Sequence, residues 1–319
     1  MSKAHGRMGL ALAAAAALAA GCGGSKPAAA PAAAKPRVAL VMKSLANEFF
    51  KTMEDGARAD QRQRPGDYDL ICNGIKDEQD VARQIALVEQ MLAQQVQALV
   101  IAPADSKALL PACRKAIQAG VVVVNIDNKF DAATLAAQGV KIPFVGPNNR
   151  TGARLAGERL ARQLKKGDKV ALVEGIPNAF NAEQRKLGFQ DAMAAAGVEV
   201  AAAQSANWMP DQAEKVVAGM ITQHPELRAV LCANDNMALG AIAALRAAGK
   251  LEQVLVVGYD NISAVQSLVK EGKMLCTVDQ HADRIAVNGI GYALDLLKGK
   301  AAPADLETPV DLVDAASLR

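Results

Sequence analysis

The sequence predicts an α/β protein made of two doubly wound, parallel-sheet lobes. Three observations lead there. Short, β-branched, near-continuous apolar runs recur along the chain, as expected of parallel strands covered on both faces. Segments with helical spacing separate them, each long enough for a right-handed crossover. Two such series follow one another, before and after about residue 147, and some 280 residues exceed what one small core usually serves.

Taken in order, the chain of 319 residues opens with Lys3 and Arg7 ahead of an uncharged, alanine-rich run, Met8 to Ala20. That is the layout of an export signal, and it falls short of the ~20 apolar residues that span a bilayer. Leu18-Ala19-Ala20-Gly21-Cys22 resembles a bacterial lipobox, with the leucine one place early. The expectation is a signal peptide over 1–21, a lipid-anchored Cys22, and a flexible Gly/Ser/Ala/Pro tether over 22–36. Plain secretory cleavage near Ala20 is the alternative. Removing Lys3 and Arg7 lowers the net charge from +3 by two to +1, so no nucleic-acid partner is implied.

Strands are expected at 38–42, 68–72, 98–102, 121–126 and 143–146, then at 169–174, 229–233, 254–258 and 274–278. A representative helix runs from Asp80 to Ala93, with Val81, Ile85, Val88, Met91 and Leu92 along one apolar stripe. Cys72, Cys113, Cys232 and Cys276 form no CxxC pair and sit in apolar contexts, so they read as buried small hydrophobes and not as metal ligands.

Open α/β sheets place ligands beyond the C-terminal ends of their strands. Lys43, Asn73, Asp105, Asp127, Asn178, Asn234 and Asp260 lie there. Asn73, Asp105 and Asn178 read first as helix N-caps, but a polar rim drawn from both halves describes a binding cleft. Catalysis finds little support. Only His224 and His281 follow the leader, no GxSxG, HExxH, P-loop or GxGxxG motif occurs, and the adjacent Glu54-Asp55 point to different helix faces. No catalytic residue, metal or cofactor is therefore assigned.

Sugar hydroxyls both donate and accept, so a sugar site needs converging carboxylates, amides and cations. Asp127, Asn234 and Asp260 supply acceptors, and Lys43 and Arg185 supply donors. Aromatic rings are scarce, with six Phe, three Tyr and one Trp. Phe49, Phe50, Trp208 and Tyr259 nevertheless fall beside rim residues. Trp208 is assigned to ring stacking and Phe50 to the ligand, while Phe49 stands evenly between ligand and core.

Leu40–Phe50, Val124–Lys129, Cys232–Gly240 and Val256–Asp260 together resemble the periplasmic sugar-binding proteins of the ribose type, over almost the whole chain from Arg37 onward. Within that family the chain is most similar to the allose-binding branch. The resemblance implies a type I periplasmic binding fold and a monomer. It further implies a sugar site lined by Lys43, Asn47, Phe50, Asp127, Asn128, Arg185, Trp208, Asn234, Asp260 and Gln280, with Phe49, Phe180, Asn181 and Tyr259 in second rank. Asn128 departs from the glutamate or arginine of relatives, so a different hydroxyl pattern is expected at that corner. Three crossovers are implied near Gly146-Pro147, Gln280-His281 and Pro309-Val310. They divide the chain into an N-terminal lobe, 37–146 plus 281–309, and a C-terminal lobe, 147–280 plus 310–319.

The implied role is periplasmic delivery of a hexose or pentose to the membrane permease of an ABC importer, and in some members to a chemoreceptor. A polyol, a nucleoside or a quorum signal is the alternative ligand. A lac-repressor-type regulator would begin with a DNA-binding segment, and an exported sugar-acting enzyme would need the missing histidine or carboxylate pairs.

Overall fold

Alternation along the first strand sets up a layered core. In β1 (Arg37–Ser44) Val38, Leu40 and Met42 enter one apolar cluster and Ala39 and Val41 another, so both faces of the strand are buried. The structure, a computed structural model, describes residues 35–318. The expected signal peptide, Cys22 and the tether as far as residue 34 lie outside the described residues.

Between β1 and the next crossover come α1 (Glu48–Gln63), β2 (Asp69–Ile75), α2 (Val81–Ala93), β3 (Ala98–Ile101), α3 (Leu110–Gln118), β4 (Val122–Ile126), α4 (Ala132–Ala137) and β5 (Phe144–Pro147). The second series is α5 (Asn149–Ala161), β6 (Lys169–Glu174), α6 (Phe180–Ala196), β7 (Glu199–Ser205), α7 (Pro210–Gln223), β8 (Ala229–Cys232), α8 (Asp235–Ala247), β9 (Leu255–Val257), α9 (Ser263–Lys270) and β10 (Cys276–Asp279). α10 (Ala282–Leu297), β11 (Leu306–Thr308) and β12 (Asp311–Asp314) close the chain.

Two six-stranded sheets result, ordered β11-β5-β4-β3-β1-β2 and β12-β10-β9-β8-β6-β7. Every pairing is parallel except β10 with β12. This is the expected pair of doubly wound lobes. In the first, α1 and α10 cover one face and α2 and α3 the other; in the second, α5 and α6 lie opposite α7 and α8. The chain passes between sheets at Asn148, at Gln280-His281 and at Pro309-Val310.

The α2 stripe differs in detail from its expected centre. Val88 and Met91 are buried, but Val81, Ile85 and Leu92 are only partly so, and Gln84 and Leu87 occupy the middle of the face. Gln84 is fully buried because it is fully used. Its Nε2 donates to the carbonyls of Met42 (3.1 Å) and Ala102 (2.8 Å), and its Oε1 accepts from Ala104 N (2.7 Å). One amide thereby ties together the ends of β1 and β3, from which a cavity wall begins.

Asn73 and Asn178 are not caps. Asn73 lies within β2, and the cap position of α6 falls to Ala179. Asp105 is not a helix cap either: it accepts from the N–H groups of Lys107 and Ala108 in the turn before α3, whose cap position falls to Leu109. All four cysteines in the described residues are free thiols, three of them buried and Cys72 partly so. No described helix is long and apolar enough to cross a membrane.

Candidate functional site

Strand ends of both sheets converge on one cavity, with about 220 Å³ of space between its walls. Lys43 comes from the end of β1, Asn47, Phe49 and Phe50 from the start of α1, Glu78 from the β2–α2 loop, and Asp127 from the turn after β4. The other lobe supplies Asn181 and Arg185 from α6, Trp208 from before α7, Asn234 after β8, Asp260 after β9 and Gln280 after β10. Asn47 and Asn234 are also N-caps, accepting from Phe49 N and Met237 N, so each is locked in place by the helix it starts.

Three wall residues are held in a left-handed backbone conformation that non-glycine residues rarely adopt: Asp127 (φ 60°), Trp208 (φ 67°) and Asp260 (φ 119°). Such strain persists only where the surroundings enforce it, and it clusters at ligand sites.

Two cationic centres organise the wall. Lys43 Nζ lies 3.0 Å from Asp127 Oδ2 and 3.7 Å from Glu78 Oε2, while Glu78 Oε1 accepts from Asn47 Nδ2 at 3.1 Å. Burial disfavours the Lys43 ammonium most strongly, yet the Asp127 and Glu78 carboxylates outweigh it and hold the group above its usual pKa. Burial likewise raises Glu78, against the opposing pull of Lys43. Arg185 donates through Nε to Asn149 Oδ1 and through Nη1 to Ala233 O, both at 2.8 Å. Its guanidinium lies 3.4 Å from Asp260 Oδ1 and stacks 3.8 Å from the centre of the Tyr259 ring.

Burial pushes the Asp260 carboxyl up to about 7, against the Arg185 charge and a 2.6 Å hydrogen bond from Gln280 Nε2. Asp235 is raised by burial and by the charge of Asp260. A native carboxyl that keeps its proton to about pH 7 binds more protons than the unfolded chain between about pH 4 and 7. This group's contribution is therefore fully present below about pH 4 and is lost as pH rises through 7. The melting temperature of the ligand-free protein should fall across that window, and Asp260→Asn should flatten that part of the profile. An unchanged slope in the variant would remove Asp260 as its source.

Four cavity atoms are buried without a hydrogen-bond partner among the described residues: Asp127 Oδ2, Asn181 Oδ1, Gln280 Oε1 and the indole Nε1 of Trp208. Asp127 Oδ2 faces Lys43 at ion-pair distance but is not aligned for a hydrogen bond. Buried polar groups are normally paired, so this wall requires three donors and one acceptor from whatever it encloses.

Of the ten residues placed at the site from sequence, nine line the cavity, as do Phe49 and Asn181. Three others do not. Asn128 turns away after the left-handed Asp127; its Nδ2 donates to Pro103 O (2.9 Å) and its Oδ1 accepts from Ser106 and from Asn181 N. Its amide is engaged by protein partners and it lies outside the cavity lining. Tyr259 lies fully buried behind Arg185, a support and not a wall. Phe180 stands 38 % exposed outside the cavity.

Glu78 was missed because Lys76-Asp77-Glu78 reads as ordinary solvated loop charge. Gly175 was missed because its role is spatial: a Cβ there would overlap the Trp208 indole. Gly175→Ala should displace the ring, shift the emission of the protein's only tryptophan, and weaken ligand binding at least tenfold. Unchanged emission would show that the indole does not depend on this glycine.

A closed, two-lobed cleft, walled by the strand ends of both sheets and crossed three times by the chain, defines a binding protein that encloses a small polar solute. The chain belongs to the periplasmic binding proteins: residues 38–301 match the periplasmic binding protein domain. A D-ribose/D-allose-binding protein of Pseudomonas aeruginosa is 55 % identical over 285 residues, which cover 88 % of this chain and 89 % of that one. An ABC-transporter solute-binding protein from Burkholderia multivorans is 53 % identical with a TM-score of 0.86, covering 88 % of this chain and all of that one. Another, from Actinobacillus succinogenes with bound D-allose, is 37 % identical with a TM-score of 0.84 over 89 % of this chain and 99 % of that one. The family is one of transport solute-binding proteins and not of enzymes.

Proposed function

We propose that this protein captures a monosaccharide, a hexose or pentose such as D-allose or D-ribose, and delivers it to the permease of an ABC importer. The observation that carries the proposal is the unpaired set on the cavity wall, three acceptors and one donor in a space of about 220 Å³. A ring bearing several hydroxyls meets that demand, since each hydroxyl donates one bond and accepts others. Lys43, Asn47, Phe50, Asp127, Arg185, Trp208, Asn234, Asp260 and Gln280 hold the sugar, joined by Glu78 and Asn181. An epimer that leaves one buried group unpaired costs ~1–3 kcal/mol, which separates otherwise similar sugars.

The three passages between sheets act as hinges, and the bodies that move on them are 37–146 with 281–309 and 147–280 with 310–319. A thermal-shift screen over aldoses, ketoses, polyols and nucleosides tests the capture reading. D-allose or D-ribose at about a hundred times its dissociation constant should raise the melting temperature by roughly 5–10 °C. A shift produced by a polyol or nucleoside alone would replace the sugar assignment.

We also infer that Cys22 carries a lipid anchor once 1–21 are removed, with 22–36 as the tether; the lipobox-like segment supports this. Radioactive palmitate should label the wild-type chain and not Cys22→Ser.

A further inference from the structure

Helix α6 carries two cavity residues, Asn181 and Arg185, yet it lacks a cap of its own. The residue at its N-cap is Ala179, which has no side-chain acceptor, whereas α1, α2, α4, α5 and α8 are each capped by an Asn or Asp side chain. The first N–H groups of α6 are satisfied from across the cleft. Ser106 Oγ accepts from Phe180 N at 3.0 Å, and Asn128 Oδ1 accepts from Asn181 N at 3.2 Å. Ser106 N also donates to the carbonyl of Asn178 at 3.3 Å.

Both acceptors stand on loops of the first sheet, after β3 and β4, while α6 packs on the second. They are 4 % and 0 % exposed, and they are held in turn by the Ser106–Asn128 hydrogen bond and by donation from Asn128 to Pro103 O. We propose that Ser106 and Asn128 are positioning residues for solute capture, supplying the N-cap of α6 in trans so that this helix is capped only when the lobes are shut.

The physical consequence is a closure term that touches no ligand. Opening the cleft strips two helix N–H groups of their acceptors and leaves them to water, which favours the closed state and slows ligand release. The helix that gains its cap is the one that presents Arg185 and Asn181, so closure and assembly of the wall occur together. A neutral amide suits this role, since it can accept from Asn181 N while donating to Pro103 O, whereas an arginine has no acceptor to offer and a glutamate carboxylate no donor.

The role rests on the capture reading only for its ligand readout. With D-allose as the probe and tryptophan emission as the signal, Ser106→Ala and Asn128→Ala should each weaken binding roughly three- to tenfold, chiefly through faster release. The rank order of sugars should stay unchanged, and Ser106→Thr, which keeps the hydroxyl, should restore wild-type release. A changed rank order in Asn128→Ala would mean that Asn128 reads a hydroxyl, and an unchanged release rate would mean that the cap does not govern closure; either overturns the proposal. Dyes on the two lobes of ligand-free protein give a second measurement. Ser106→Ala should shift the interlobe distances toward the open form, and identical distributions in wild type and variant overturn the proposal whether or not a sugar binds. Failure of every sugar to bind the wild-type protein would overturn the capture reading alone.

Discussion

Arg185→Ala should abolish sugar binding and lower the melting temperature of the ligand-free protein by roughly 5–15 °C, the two largest losses from any single truncation at the site. Arg185 is 2 % exposed, and its guanidinium bridges three segments: the start of α5 through Asn149, the end of β8 through Ala233 O, and the turn after β9 through Asp260. Removing it leaves a carbonyl, an amide oxygen and a raised carboxyl without their cation, and breaking a buried pair on one side costs ~3–5 kcal/mol. Arg185→Lys should recover part of the stability and little of the binding, because an ammonium cannot reproduce the fork or lie flat between Tyr259 and Trp208. Calorimetric titration beside thermal melts checks both. Binding retained in Arg185→Ala would place the sugar elsewhere.

Asp127→Ala should be the next most severe for binding and much milder for stability. The sugar loses the carboxylate oxygen that has no aligned partner in the wall, and Lys43 loses its nearest counter-charge. Affinity should fall at least a hundredfold. Lys43 keeps Glu78 at 3.7 Å and its positions beside the Phe50 and Trp208 rings, so the melting temperature of the ligand-free protein should drop only a few degrees. Part of that drop is backbone: alanine at φ 60° is strained where aspartate and asparagine are tolerated. Asp127→Asn therefore separates the two effects, keeping the turn and one acceptor while removing the charge. Its affinity should lie between wild type and Asp127→Ala, and an affinity equal to wild type would show that the charge is not used.

The sequence carried the lobes and most of the wall because both are written in local patterns. Apolar runs such as Val170–Val173 read as strands buried on both faces, and several of them, those before Lys43, Asp127 and Asn234 among them, lead into a polar residue at the ligand-facing end. Strands β7, β11 and β12 escaped notice for the opposite reason. β7 is largely alanine with half-exposed positions, and β11 (Leu306–Thr308) and β12 (Asp311–Asp314) hold charged residues at exposed or half-buried positions and no continuous apolar run. Glu78 and Gln84 are polar residues whose burial depends on partners far along the chain, so no window of sequence displays it. Asn128 shows the limit of resemblance. The resemblance implies a ligand-binding position there, but the direction of its side chain is set by the turn at Asp127 and by acceptors and donors on other loops.

The four thiols give this fold a time dependence. In an unfolded chain a cysteine has a pKa near 8.5 and is open to oxidants. Burial pushes Cys72, Cys113 and Cys276 to about 12 and raises Cys232 as well, which cuts the reactive thiolate on the order of a thousandfold or more. A periplasmic protein meets a compartment that makes disulfides, so the vulnerable interval of this chain is the time between its arrival there and the closing of its cores. Folding is itself the shield for these cysteines, because the cores that bury them also hold them in the unreactive thiol form.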